Sequence, residues 1–286
     1  MWPDVERLER LTFSKVSLFR QCPERFRRRY VLGDKGRRPA NLIWGSADHA
    51  GIEHDLRLRM DGGPGAELAA VLEVASQSWV GQVEEVGGLG EIDWGGWAGS
   101  QPGDYGKLSD KLRDRMLALV ALYHGQVCPE IRPLAVEKEF TYRVPEMQVP
   151  LFGVIDVVDG AGDSIVMRDR KTASKERKTI RPEWGLQARM YQLHLPVAMV
   201  WDLSVKTDTP KVVAAAISRP CDDRELRVTE RMVAATADMI EHCWDLYGPD
   251  EAWPDATTGE LYGKGTCAWC EWGPYSRNDC AWWKGE

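Results

Sequence analysis

Three residues of types that can do phosphoryl chemistry stand close together in the chain. Asp156 lies in LFGVIDVVDG, Asp169 in IVMRDRKT, and Lys171 follows Asp169 by two residues. Both segments read as neighbouring strands. Strand side chains alternate between faces, so Asp169 and Lys171 point the same way, and Asp156 comes alongside if the strands pair. Two carboxylates about 4 Å apart repel by roughly 4 kcal/mol at an effective dielectric near 20, enough to raise one pKa by about three. A divalent cation removes that conflict, and hard Mg2+ or Mn2+ prefers such oxygens. An ion so placed activates water and neutralises charge on a phosphoryl oxygen. Lys171 would then orient the water or stabilise the pentavalent state. The bland alternative is a solvated strand edge with one salt bridge, and the spacing D-x(12)-D-x-K leaves both open.

A second group is made of thiols. The tail GTCAWCEWGPYSRNDCAWW holds Cys267 and Cys270 as C-x(2)-C, with Cys280 after nine further residues. Three close cysteines need a fourth ligand to complete a tetrahedral or cubane site. An iron–sulfur cluster, a zinc ion and unligated thiols are all open readings of this segment. Cys128, Cys221 and Cys243 stand alone and read as small buried residues. Seven cysteines is an odd number, and the opening MWPDVERLER has no apolar signal core, so a disulfide framework is not expected.

These groups are carried on an ordinary globular composition of 286 residues, 43% apolar and 28% charged. No stretch approaches twenty apolar residues, so no membrane span and a soluble, cytoplasmic protein are expected. A net charge of −7 argues at first sight against nucleic acid. The distribution is uneven, however. Ser14–Arg38 holds nine bases against two acids, and Arg168–Arg181 holds seven against two. Such islands form a local phosphate-binding surface or simply solvated faces. Arg25, Arg28, Arg170 and Lys175 are the candidates for DNA contact. Of thirteen tryptophans, Trp44, Trp269, Trp272, Trp282 and Trp283 lie near these motifs; they stack on bases or shield the core. No G-x(4)-G-K-[ST] occurs, so the chain has no ATP motor of its own.

The elements that must position these groups can be read from periodicity. Residues 14–31 read as two helical pieces broken near Pro23, with Ser14 as N-cap. Helices are expected from Gly45 to about Met60, from beyond the turn at Asp61–Gly65 to Val86, and over Leu108–Val127, with a long glycine-rich loop over Gly87–Gly106. Strands follow at Leu134–Val144, Val149–Val158 and Ser164–Arg170, then a helix over Leu186–Leu195. Strands at Val197–Leu203 and Lys211–Ile217 and a long helix over Asp222–Leu246 complete the pattern. The fold class is α/β or α+β, with a helical insertion ahead of the sheet.

In this order the motifs GSADHAGIEH, VEKEF, GVIDVV, RDRKT and QARMY resemble the RecB-like branch of the PD-(D/E)XK nucleases. The opening SKVSLFRQCPERFRRRYV is similar to that branch's serine-led segment, Cys-Pro and basic aromatic helix. The resemblance covers nearly the whole chain. It implies a restriction-endonuclease-like core, with His49, Asp156 and Asp169 binding Mg2+ or Mn2+, Lys171 as catalytic lysine, and Gln187 and Tyr191 supporting the site. Glu137 matches an acidic position ahead of Asp156. His49 and Glu53 are one helical turn apart, so Glu53 either orients His49 or faces solvent. The iron–sulfur members, which include CRISPR-associated and AddB-type exonuclease domains, carry one cysteine before the core and three after it. That implies Cys22, Cys267, Cys270 and Cys280 around [4Fe–4S], although the last spacing here is nine residues where the family's is nearer five. Such a cluster would close a loop of about 245 residues, worth on the order of 5 kcal/mol if treated like a disulfide.

The expected arrangement is one nuclease domain over 1–286. It comprises a basic arm with the first cysteine (1–40), a helical region carrying His49 (41–130), the core (131–220), a helix (221–260) and a cluster-binding segment (261–286). The expected activity is metal-dependent DNA exonuclease action on single-stranded ends. A helicase, recombination or CRISPR-related protein is the expected partner. The alternative is a DNA-binding or assembly module with little turnover and a structural iron–sulfur or zinc site.

Overall fold

The computed structural model describes residues 8–95, 104–160, 164–173, 176, 179–207, 209–254, 267, 270–272 and 280. Among the described residues the first elements are a two-residue strand β1 (Leu11–Thr12) and helix α1 (Phe13–Gln21). The Thr12 hydroxyl, not Ser14, accepts the Lys15 N–H and caps α1. Cys22 separates α1 from α2 (Pro23–Phe26), since Pro23 has no N–H to continue the ladder. A π-helical turn (Arg27–Val31) and strand β2 (Arg38–Pro39) lead into α3 (Ala40–Arg59). This helix starts five residues before the expected Gly45, because Pro39 supplies the break that the glycine was expected to supply.

Helix α4 (Leu68–Glu85) packs beside α3. Gly51 makes this close approach feasible: a Cβ there would meet the Ala75 Cβ and the Val71 carbonyl oxygen at 2.9 Å. Within the expected Gly87–Gly106 loop, β3 (Ile92–Asp93) pairs with β2. Helix α5 (Tyr105–Gln126) closes the helical region.

The sheet is built from β4 (Pro133–Tyr142), β5 (Leu151–Asp159), β6 (Val166–Ala173), β7 (Ala198–Val205) and β8 (Lys211–Ser218). Strands β4, β5 and β6 are antiparallel neighbours, β6 and β7 are parallel, and β7 and β8 antiparallel. Helix α6 (Pro182–Gln192) makes the crossover between β6 and β7, as a parallel connection requires. Helix α7 (Asp223–Tyr247) begins with a reciprocal capping box between Asp222 and Glu225. It buries Thr229, Val233, Thr236, Ile240 and Cys243, a stripe of alternating four- and three-residue steps.

Two apolar cores lie on either side of the sheet. One joins α1, α6 and α7 to Met167, Met199, Trp201 and Leu203, and the other joins α3, α4 and α5 to Val136 and Val157. The helical insertion is therefore one layer of a layered α/β unit. Strands β5 and β6 pair only from Asp159↔Val166 to Val157↔Arg168. Beyond that they part, and β1 pairs in parallel with Leu151 and Phe152 of β5. The functional residues gather at this parting.

Candidate metal centre

Where the ladder between β5 and β6 stops, a side chain replaces a strand. The Asp156 carboxylate accepts the Arg170 N–H at 3.0 Å, so the backbone donor left by the missing partner is satisfied by a carboxylate. Helix α3 delivers His49 to the same point. Its Nε2 lies 3.1 Å from the Arg170 carbonyl oxygen and its Nδ1 3.5 Å from Asp156 Oδ2. Glu137 reaches in from β4 with an unusual positive φ of 50°. Donor atoms of His49, Glu137 and Asp156 all lie within 4.8 Å of one another. In an octahedral shell with ligands at about 2.1 Å, adjacent donors are roughly 3 Å apart and opposite ones roughly 4.2 Å. The imidazole, two carboxylates and one carbonyl suit such a shell in donor type.

Electrostatics supports the same grouping. Burial raises the Glu137 carboxyl to about 7, and the Asp156 and Glu53 carboxylates add to the rise. Like charges crowded in a partly buried cleft are the situation that a cation relieves. Glu53 itself pairs with Arg57 at 2.7 Å.

Asp169 is nearly fully buried and is held at both oxygens. Gln187 on α6 donates its amide to Oδ1 at 2.7 Å, and the Lys171 ammonium lies 2.6 Å from Oδ2. Burial raises the Asp169 carboxyl above the ordinary range, the Lys171 charge opposes the rise, and Asp156 adds to it. Burial works against the Lys171 charge, but Asp169 and Asp156 outweigh it and raise its pKa. Lys171 thus stays an ammonium. Tyr191 is buried one helical turn beyond Gln187, its ring edge-on to Phe140 with centroids 5.3 Å apart. His49, Asp156, Asp169, Lys171, Gln187 and Tyr191 are thus brought into one region, but Glu137, where Asp169 was expected, joins His49 and Asp156 in the group of donor atoms within 4.8 Å of one another.

On the opposite face of β6, one of the DNA-contact candidates turns inward. Arg170 is buried, and its guanidinium donates to Asp48 Oδ1 at 2.7 Å and to the Asp48 carbonyl at 3.1 Å, so it faces the protein interior. Arg25 forms a two-pronged bond with Glu271 at 2.9 and 3.0 Å. Arg28 pairs with Glu24. Lys175 lies outside the described residues, as do Trp269, Trp282 and Trp283. Trp44 and Trp272 are buried and belong to the protein interior rather than to a stacking platform.

Among the described residues, no three cysteine sulfurs lie within 4.8 Å of one another. Glu271 and Trp272 nevertheless contact the N-terminal region. Trp272 Nε1 donates to Asp34 at 2.9 Å, the Arg28 guanidinium sits 5.6 Å from the centre of the Trp272 ring, and Arg29 lies 3.6 Å from Glu271. Burial pushes the Cys22 thiol up to about 12; the Arg25 N–H opposes this, and the nearby thiols of Cys270, Cys280 and Cys267 add to it.

Sequence reasoning missed Asp48, Tyr123, Asp159 and Asp202. Tyr123 donates to Asp202 at 2.8 Å, and Arg168 bridges Asp159 and Asp202. Alternation along β6 was the available signal: Arg168 and Arg170 must face away from Asp169 and Lys171.

No curated protein matches the chain. In fold, it is similar to a crystal structure from Eubacterium rectale that carries a provisional exonuclease assignment, at 12% identity and a TM-score of 0.52 over 87% of this chain and 85% of that one. A second solved structure, SSO0001, has 11% identity and a TM-score of 0.42, covering 94% and 85% respectively. The family model described as PD-(D/E)XK nuclease superfamily matches residues 10–275. The chain belongs to the PD-(D/E)XK nuclease superfamily.

Proposed function

We propose that this protein is a RecB-like, divalent-metal-dependent nuclease that hydrolyses DNA phosphodiester bonds, acting as an exonuclease on single-stranded ends. The observation that carries the reading is the convergence of His49, Glu137, Asp156 and the Arg170 carbonyl at the parting of β5 and β6. These donors would hold Mg2+ or Mn2+; the imidazole favours tolerance of Mn2+. A divalent ion bound there supplies an acidified water and neutralises phosphoryl charge.

The chain's own residues do the rest. Asp169 holds the Lys171 ammonium at the edge of the cleft, and Lys171 orients the attacking water and faces the charge that develops on the phosphoryl oxygen. Gln187 fixes the Asp169 carboxylate, and Tyr191 backs the helix that carries Gln187. The test is degradation of end-labelled single- and double-stranded DNA with Mn2+. Activity that disappears in Asp156→Ala and Asp169→Ala supports the reading. Equal activity of wild type and both variants overturns it, and no activity in any of them favours a binding module.

Cys22, Cys267, Cys270 and Cys280 are proposed as ligands of a [4Fe–4S] cluster in the same chain. Four thiols are the donor set such a cluster takes. Brown protein containing iron and sulfide, with colour lost in Cys267→Ser, is the expected result; colourless protein containing zinc overturns it.

A further inference from the structure

We propose that Arg170 is a positioning residue that sets the geometry of the metal centre by tying helix α3 to strand β6 through a buried pair with Asp48. The inference rests on the metal-centre reading above and adds a residue pair to it.

Arg170 uses its backbone N–H, its carbonyl and both terminal guanidinium nitrogens at this junction. Its N–H goes to Asp156 Oδ2 at 3.0 Å, and its carbonyl oxygen faces His49 Nε2 at 3.1 Å. Its side chain leaves the opposite face of β6 and grips Asp48, the neighbour of His49 on α3, at both the carboxylate and the carbonyl. One residue thus touches two proposed metal ligands through its backbone and the helix of one of them through its side chain. The span between His49 and Asp156 is fixed by the length of this clamp.

The clamp is itself held. The guanidinium carbon lies 4.1 Å from the centre of the Tyr123 ring, and the Tyr123 hydroxyl donates to Asp202 on β7. Asp48 and Arg170 are 0% and 5% exposed. A buried ion pair is a weak source of stability, because desolvation offsets the attraction, and well-packed apolar residues often replace it without loss. What apolar residues lack is direction. A forked donor gripping a carboxylate and a carbonyl fixes both separation and rotation of the helix. On the far side α3 is packed tightly against α4 at Gly51, so the helix has little freedom to compensate.

The test is Mn2+ binding to the purified full chain, followed by calorimetry or by the electron paramagnetic signal of free Mn2+. The double variant Asp48→Leu with Arg170→Met removes the pair from both sides, so neither partner is left buried without the other. It is expected to keep a melting transition and to lose about 10- to 100-fold in Mn2+ affinity, the usual effect of disturbing groups that orient ligands. Turnover should approach the wild-type value again at saturating Mn2+. Arg170→Lys keeps the charge but not the fork, so its loss should be smaller and in the same direction. Should the double variant fail to fold, the lysine variant decides. Wild-type Mn2+ affinity in a folded double variant, or in the lysine variant when the double does not fold, overturns the inference. Absence of Mn2+ binding by the wild type, or unchanged binding in His49→Ala, instead overturns the metal-centre reading itself.

Discussion

The amide of Gln187 donates to Asp169 Oδ1 at 2.7 Å, on the oxygen that Lys171 leaves free. The two residues come from different elements, α6 and β6, so this bond fixes the carboxylate plane across the helix–strand interface. With one oxygen on Lys171 and one on Gln187, the carboxylate has no rotational freedom.

Gln187→Met keeps the volume and removes the donor. Turnover at saturating Mn2+ is expected to fall about 10- to 100-fold. The melting temperature should barely move, because the substitution also removes a buried amide oxygen that lacks a hydrogen-bond partner among the described residues. Rates of release from end-labelled DNA, read beside a thermal melt, check both halves. Unchanged turnover would make Gln187 a packing residue only.

Glu137 gives the metal-free protein a pH dependence of definite sign. Its carboxyl is raised to about 7 in the folded chain by burial and by Asp156 and Glu53, against an ordinary value of 4.5. Between those values the folded state holds a proton that the unfolded state has released, so stability is full below about 4.5 and declines as pH rises through 7. Melting of the metal-free protein should therefore drop over this window, and Glu137→Gln should flatten the drop. Mn2+ competes with the same proton, so apparent Mn2+ affinity should climb through the window in the wild type and lose that climb in the variant. A melting profile identical in both proteins would remove Glu137 from the centre.

The legible and illegible parts of this molecule divide along physical lines. The strands carrying Asp156 and Asp169 and the helix carrying Gln187 announce themselves through periodicity, since each buries one face along most of its length. Two-residue pairings such as β1 with β5 and β2 with β3 have no periodicity to detect. The lysine and carboxylates of the site were legible through the resemblance of five motifs in order, since the D-x(12)-D-x-K spacing by itself suits a solvated strand edge equally well. Arg170 was misread because a run of bases was weighed by charge alone. Its place on β6 opposite to Asp169 and Lys171 sends it beneath the helical layer, where Asp48 meets it. Asp48 itself carried no signal, because an acid in a helix is ordinary until the helix is known to cover a sheet.

Gly153 lies under the site where β4, β5 and α6 meet. A Cβ there would stand 2.5 Å from the Phe140 ring and 3.2 Å from the Tyr191 ring. Phe140 is stacked on His194 at 4.7 Å between centroids and edge-on to Tyr191, so it has little room to yield. Gly153→Ala is expected to destabilise by about 1–3 kcal/mol, the usual range for overpacking. Urea unfolding measures this directly, and the variant should also lose turnover through displacement of Tyr191. A stability equal to that of the wild type would mean that the rings repack without strain.

Glu24 is the hinge pin of the N-terminal region. It is 1% exposed and accepts two bonds from Arg27 at 2.8 Å, one from Arg28 at 3.2 Å, and the Trp253 N–H at 2.8 Å. Trp253 packs against Phe19, Phe26 and Trp244, so the carboxylate joins α1 and α2 to the segment that follows α7. Glu24→Ala takes the carboxylate from the buried Arg27 charge, which keeps the Pro249 carbonyl, and the acceptor from the Trp253 N–H, and a loss of about 3–5 kcal/mol is expected for breaking such a network from one side. Glu24→Gln keeps an acceptor for the Trp253 N–H and should cost less. Both variants keep every residue of the metal centre, so Mn2+ affinity measured below the unfolding transition should match the wild type. An alanine variant as stable as the wild type would mean that Arg27 finds another partner or water, and that the carboxylate does not hold the N-terminal helices in place.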